Sequence, residues 1–211
     1  MPVAIGPDQD IADPTSRKPT LQLVLASTSP YRKALLARLG IPFLVERPDV
    51  DETRLPGEDP KDLALRLAVA KAVAVSPRFP SGLIIGSDQV ALLENEILDK
   101  PGNAENAKRQ LQKASGKTVV FHTALCVYDG QHRNYSTRVV PVEVRFRKLD
   151  ERTIDAYLSR EQPYDCAASA KAESLGIALI ERITGDDPNA LIGLPLIALI
   201  DLLAERGFNV L

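Results

Sequence analysis

Cysteine is scarce in this sequence. Cys126 and Cys166 are the only two among 211 residues, too few for a disulfide framework. Long apolar runs are missing as well. The greasiest stretch, Leu194 to Leu203, is interrupted by Pro195 and Asp201, and nothing approaches the roughly 18 residues of a membrane span. The first residues carry Asp8, Asp10 and Asp13 and lack the basic start and apolar middle of a secretory signal. These features predict a soluble protein in a reducing, cytoplasmic compartment. Nor is there an excess of charge of one sign: 26 basic side chains face 28 acidic ones. Bulk attraction to polymeric nucleic acid is thereby disfavoured, but a small phosphorylated ligand needs only a local cluster of cations. The sequence has no P-loop, no Gly-x-Ser-x-Gly elbow and no Gly-x-Gly-x-x-Gly turn. His122 and His132 are not at metal-ligand spacing, and neither cysteine has a His or second Cys nearby. No internal repeat or low-complexity tract is visible.

What is present is globular. Apolar residues make up 45% and charged residues 26% of the chain, enough to bury a real core. Residues 1–20 hold four prolines and almost no large apolar side chain, so they are expected to form a leader outside the fold. No linker divides the remainder, and 21–211 reads as a single domain.

The patterning mixes strands and helices along the whole length. Leu21 to Ala26 reads as a buried strand. Ser29 is placed to cap a helix with Pro30 at its first position, and Gly40 closes it. Ile41 to Glu46 reads as a second strand, followed by a loop with Asp49, Asp51 and Glu52. Asp59-Pro60 opens a helix whose expected inner face is Leu63, Leu67, Ala70 and Ala74. Leu83 to Val90 is a strand, Glu94-Asn95 a hairpin tip, and Asn103 the cap of a helix reaching Ala114. Thr118 to Tyr128 and Thr137 to Arg147 read as long strands joined near Gly130. The second alternates Val140, Val142, Val144 and Phe146 with charged residues, as a half-exposed antiparallel strand does. Asp150 caps a short helix, Leu175 to Ile183 is a further strand, and Gly193 to Arg206 the last helix. The long antiparallel pair argues against a purely parallel sheet and predicts an α/β fold with a mixed, twisted sheet flanked by helices.

Two segments carry candidate chemistry. In Ser27 to Lys33 a strand ends, hydroxyls follow, and a helix opens with Tyr31, Arg32 and Lys33. Cations at a helix N-terminus are unfavourable unless an anion answers them, and free N–H groups there favour an anion. The alternative is an ordinary capped helix with solvated cations. In Ile84 to Val90, Asp88 and Gln89 lie within a strand that should be central. A buried carboxylate needs a metal, a cation or hydrogen bonds. Asp88 is therefore catalytic, metal-binding, or a cap at a strand end. Lys71, Lys100 and Lys171 recur near these elements, each a surface lysine if read alone. The small residues of 166–174 would let backbone approach a ligand closely, while Gly185 to Asn189 is turn chemistry.

These residues together resemble the Maf family of nucleoside triphosphate pyrophosphatases. The resemblance spans about Leu21 to Leu211. It rests on LASTSPYR at 25–32, DVDE at 49–52, Leu65-Arg66-Leu67 with Lys71-Ala72, IGSD at 85–88, Lys100-Pro101 and GLP at 193–195, in the family's order. It is closest to the branch that hydrolyses 7-methyl-GTP, marked by Gln89 after Asp88, by CAASAKAES at 166–174 and by DPNALIGLPLIAL at 187–199. The resemblance implies an inosine triphosphate pyrophosphatase-like fold with two lobes around a cleft, a divalent cation (Mg²⁺ or Mn²⁺), and a homodimer. It makes Asp88 the proton acceptor and Glu52 and Asp88 the metal ligands. Tyr31, Gln89 and Glu173 become the residues that sort bases. Ser27, Arg32, Lys33, Lys71, Lys100, Ser169 and Lys171 become the phosphate-binding set. Tyr31 stands where the nearest relatives usually carry Trp, and Lys33 where the family has the second of two arginines. A dTTP/UTP-type pyrophosphatase of the same family and a nucleotide-binding regulator of septum formation are the alternatives.

Overall fold

The structure is a computed structural model and describes residues 21–211; the expected leader lies outside the described residues. A seven-stranded sheet forms the centre, with six strands in one continuous row and one short strand paired beside them. Strand β1 (Leu23–Ala26) runs parallel to β2 (Leu44–Glu46) and to β3 (Leu83–Leu93). All other pairs are antiparallel: β3 with β4 (Glu96–Ile97), β3 with β5 (Thr118–Asp129), β5 with β6 (Asn134–Phe146), and β6 with β7 (Ile180–Thr184). The expected mixed sheet is therefore present. All four residues of β1 are buried, as a parallel strand covered on both faces requires.

Helices are set by their caps. Ser29 accepts from the backbone N–H of Arg32 and starts α1 (Pro30–Ala37) with proline in its first turn. Asp59 starts α2 (Pro60–Val75), Asn103 starts α3 (Ala104–Ala114) and Asp150 starts α4 (Glu151–Glu161), each by the same kind of bond. The last helix, α5 (Leu196–Ala204), begins three residues later than expected, because Gly193 takes a left-handed φ of 115° and Pro195 precedes the first helical residue. Asp187 caps this helix from a distance: its Oδ2 accepts from the Ile197 N–H at 2.7 Å, while Oδ1 holds the Asn189 turn. Among the described residues no helix is long and apolar enough to cross a membrane.

The core divides along the length of the sheet. Where β1 lies, α1 and α5 cover one face through Leu35, Leu36, Leu199 and Leu203, and α2 covers the other through Leu63, Leu67 and Ala72. Toward β4 and β7, α3 and α4 pack through Leu111, Ile154 and Leu158 on Phe121, Val144 and Phe146. Each such Leu or Phe contributes roughly 1.5–3 kcal/mol by leaving water.

Two further expectations are corrected. Leu175 to Leu179 is not strand but a 3-10 turn, and β7 begins only at Ile180. Gly176 lies against the backbone of Lys171, where a Cβ would sit 2.5 Å from the Lys171 carbonyl oxygen, and this close contact bends the run. The inner face of α2 is also rotated. Ala74 is exposed, and the buried row is Leu63, Leu67, Lys71 and Val75. A lysine thus occupies a core-facing position, and its partner explains why.

Candidate functional site

A cleft of about 720 Å³ opens at the C-terminal end of β1 and along β3. Alternation along β3 sorts its side chains. Ile84, Gly86, Asp88 and Val90 face α2, and Ile85, Ser87 and Gln89 face the opposite side. Gly86 determines how close α2 can come: a Cβ there would lie 2.1 Å from the Ala68 carbonyl oxygen and 2.9 Å from the Ala72 nitrogen. With helix and strand in direct backbone contact, Lys71 Nζ reaches Asp88 Oδ1 at 2.6 Å and Glu52 Oε1 at 2.7 Å. Lys71 is 6% exposed and Asp88 8%. The buried ammonium is therefore answered by two carboxylates, as burial of a charge demands. Burial pushes the Glu52 carboxyl up, but the Lys71 hydrogen bond and the charges of Lys71, Lys100 and Arg32 outweigh it and leave its pKa below the ordinary value.

Glu52 is held in place by its own loop. Arg66 grips Glu58 with two nitrogens, Nε to Oε1 at 2.6 Å and Nη2 to Oε2 at 2.8 Å, and Nη2 also donates to the Thr53 carbonyl. The loop bearing Glu52 is thus fastened to the helix bearing Lys71. The Arg66 hydrogen bond takes the Glu58 carboxyl down to about 2.

Arg32 turns inward from the first turn of α1. Its Nε donates to the Gly193 carbonyl at 2.8 Å. Desolvation lowers its pKa, and the nearby charges of Asp88 and Glu52 oppose that. Ser87 Oγ also lies 2.9 Å from the Gly193 carbonyl. Two residues further on, Gln89 Nε2 lies 2.9–3.0 Å from Thr123 Oγ1, the Ala190 carbonyl and the Leu191 carbonyl, which share its two N–H groups. Residues 190–193 form one wall of the cleft, and β3 and β5 fasten it through these bonds.

The opposite wall comes from 165–173. Tyr31 Oη donates to Asp165 Oδ2 at 3.0 Å, and Lys171 Nζ stands 5.9 Å from the Tyr31 ring centroid. Lys171 also lies 3.7 Å from both Glu161 and Asp165. Burial works against its charge, but the Tyr31 hydrogen bond and the Asp165 charge hold its pKa above the ordinary value. Burial pushes the Cys166 thiol up to about 12, and the Asp165 charge adds to it. The thiol is therefore protonated near neutrality and is no nucleophile.

Of the residues singled out in the sequence, Ser27, Tyr31, Arg32, Glu52, Lys71, Asp88, Gln89, Lys100 and Glu173 all line the cleft. Three do not. Lys33 is exposed on the outer side of α1. Ser169 is fully buried and bonds Gln110 Oε1 at 2.6 Å. Lys171 stands behind Tyr31. Sequence reasoning passed over Asp165, which sits in a polar turn like any other, and Thr123, a hydroxyl in an apolar strand whose meaning appears only when Gln89 is found opposite it.

The cleft can hold a polyanion accompanied by a cation. Its lining has four cations (Arg32, Arg47, Lys71, Lys100) and six carboxylates (Asp49, Glu52, Asp88, Asp99, Asp165, Glu173). Phosphates alone would meet an acidic surplus; phosphates carrying a hard divalent cation would not. Among the described residues no group of three or more His, Cys, Asp or Glu forms a ready metal cage. The oxygen donors of Glu52 and Asp88 suit Mg²⁺, which typically takes one or two carboxylates and completes its shell with water and substrate phosphates. The donor set therefore fits such an ion.

A mixed α/β sheet with a polar cleft of this make-up suits a phosphorylated small molecule that carries a divalent cation. Residues 22–206 match the family model described as Maf-like protein, and the chain belongs to the Maf family. It is 56% identical over 189 residues to a protein of Methylobacillus flagellatus, covering 90% of this chain and 98% of the relative. A protein of Nitrosococcus oceani is 54% identical over 198 residues, covering 94% and 98%. One of Bordetella pertussis is 54% identical over 188 residues, covering 89% and 94%. All three relatives bear the name 7-methyl-GTP pyrophosphatase.

Proposed function

We propose that this protein is a nucleotide pyrophosphatase that hydrolyses 7-methyl-GTP to 7-methyl-GMP and pyrophosphate. The name shared by the relatives supports the reaction and substrate. The observation that carries the chemistry is the buried Lys71 ammonium shared by Asp88 and Glu52 at the floor of the cleft.

In this reading Asp88 accepts a proton from water as the water oxygen bonds to the α-phosphorus. The bond from that phosphorus to the α–β bridging oxygen breaks, and the electron pair leaves with pyrophosphate. Lys71 orients the Asp88 carboxylate and places positive charge beside the developing phosphate charge. Arg32, anchored at Nε by Gly193, presents its outer nitrogens to phosphate oxygens. Lys100 and Ser27 add a second cation and a hydroxyl donor. Glu52 and Asp88 would hold a divalent cation, which supplies charge neutralisation on the leaving pyrophosphate.

Base selection falls to Tyr31, Glu173 and Gln89 along the cleft. A 7-methylguanine ring is cationic and is attracted to an aromatic face by roughly 0.5–2 kcal/mol. Tyr31 offers such a face. Glu173 presents a carboxylate that matches the N1–H and amine donors of guanine. Gln89, with its amide nitrogen engaged by Thr123, Ala190 and Leu191, acts on selectivity by shaping the 190–193 wall.

Asp88→Asn tests the chemistry. It should lower kcat by on the order of 10²–10⁴ while the protein still melts cooperatively. Pyrophosphate release at the wild-type rate from folded Asp88→Asn would remove Asp88 from the role of base.

A further inference from the structure

Tyr31 and the 165–173 wall belong to different halves of the core. Tyr31 stands in the first turn of α1, whose Leu35 and Leu36 pack with α5. Asp165 belongs to the segment after α4, whose neighbours Tyr164, Ala167 and Ala168 pack with α3 and α4. Two side-chain hydrogen bonds join them across the mouth: Tyr31 Oη donates to Asp165 Oδ2 at 3.0 Å, and the Cys166 thiol donates to Tyr31 Oη over a longer 3.9 Å. Lys171 Nζ stands 5.9 Å from the centroid of the Tyr31 ring.

We infer that Asp165 is a specificity-determining positioning residue, which sets the angle and electron density of the Tyr31 ring and thereby its attraction for a cationic base. The inference rests on the reading of Tyr31 as the platform for 7-methylguanine. Two physical effects combine. The bond fixes a side chain that would otherwise turn about χ1 and χ2, so less ordering is needed when the base binds. The acceptor is also a carboxylate, and a phenol donating to an anion gives a stronger, charge-assisted bond that enriches its ring in electrons. Burial holds the Asp165 carboxyl up, but the Tyr31 and Cys166 hydrogen bonds and the Lys171 charge outweigh it and keep the pKa low, so the acceptor is ionised near neutrality. An electron-rich face helps a methylated, positively charged guanine more than a neutral one. The tether also depends on tyrosine: an indole at position 31 has its single N–H elsewhere on the ring and no phenolic oxygen.

The Asp165 side chain is 58% exposed, so its loss should not unfold the protein. The experiment measures kcat and KM for 7-methyl-GTP and for GTP on the full chain and on Tyr31→Phe, Asp165→Ala, Asp165→Asn and Tyr31→Ala. Tyr31→Phe and Asp165→Ala should each reduce the ratio of kcat/KM for 7-methyl-GTP over GTP by about threefold to tenfold, the net worth of one such bond. The change should fall on KM of the methylated nucleotide. Combining the two substitutions should lower the ratio no further than either alone. Asp165→Asn keeps an acceptor without its charge and should fall between wild type and Asp165→Ala. A ratio that narrows in Tyr31→Ala but is unchanged in Tyr31→Phe and Asp165→Ala would overturn the inference and leave the platform reading standing. A ratio unchanged in Tyr31→Ala would overturn the platform reading and the inference with it.

Discussion

Replacing Gly86 by alanine would insert one methyl group where helix α2 meets strand β3. The new Cβ would lie 2.1 Å from the Ala68 carbonyl oxygen and 2.9 Å from the Ala72 nitrogen, whereas ordinary contact begins at 3.4 Å. Both obstacles are backbone atoms, so no side-chain rotation relieves them. The helix must withdraw by roughly 1 Å in an interior packed as densely as an organic crystal. Overpacking of this kind costs about 1–3 kcal/mol, and backbone contact puts Gly86→Ala at the upper end. For a chain of this size about 3 kcal/mol corresponds to a fall in Tm of roughly 6–12 °C. The same displacement carries Lys71 away from Asp88, now 2.6 Å distant. A misplacement of about 1 Å in a catalytic constellation can reduce turnover by about 10²-fold. Differential scanning calorimetry and steady-state pyrophosphate release would read both effects on one preparation. A variant melting within about 2 °C of wild type, with kcat within about twofold, would refute the claim that Gly86 sets the depth of Lys71.

Other consequences are equally open to measurement. The Arg66 pair depresses the Glu58 carboxyl from its ordinary 4.5 to about 2. Its contribution to stability is therefore fully present above about pH 4.5 and lost as pH falls toward 2, and Glu58→Gln should flatten the acid limb of a Tm–pH curve in that window; an unchanged curve would show that the pair adds nothing. Thr123→Val removes the hydroxyl that donates to the Ala190 carbonyl and accepts from Gln89. It should destabilise the protein by about 1–2 kcal/mol and raise KM, with Thr123→Ser restoring both; denaturant melts and nucleotide titrations of the two variants decide it.

The local structure was legible wherever chemistry acts over a few residues. Ser29, Asp59, Asn103 and Asp150 cap the helices they were expected to cap, and the alternation of Val142, Val144 and Phe146 marked an antiparallel strand. Errors arose where distant contact overrode local pattern. Gly176 against Lys171 turned an apolar run into a 3-10 turn, and the left-handed Gly193 delayed the last helix. On α2 the spacing of apolar residues points toward Ala74, whereas Lys71 faces inward; only a carboxylate on another element makes an inward lysine stable. In the cleft, the conjunction of Asp88, Glu52 and Lys71 followed from the ordered motifs. The roles of Thr123 and Asp165 did not, because each depends on a partner far off in the chain.

The central claim is the reaction and its substrate, and product analysis tests it most directly. The purified protein is incubated with Mg²⁺ and, separately, 7-methyl-GTP, GTP, UTP and dTTP, and products are resolved by ion-exchange chromatography. The account predicts 7-methyl-GMP and pyrophosphate in equal amounts, with no orthophosphate, and the highest kcat/KM for 7-methyl-GTP. Orthophosphate with a nucleoside diphosphate would contradict the bond cleaved, and a preference for UTP or dTTP would contradict the substrate.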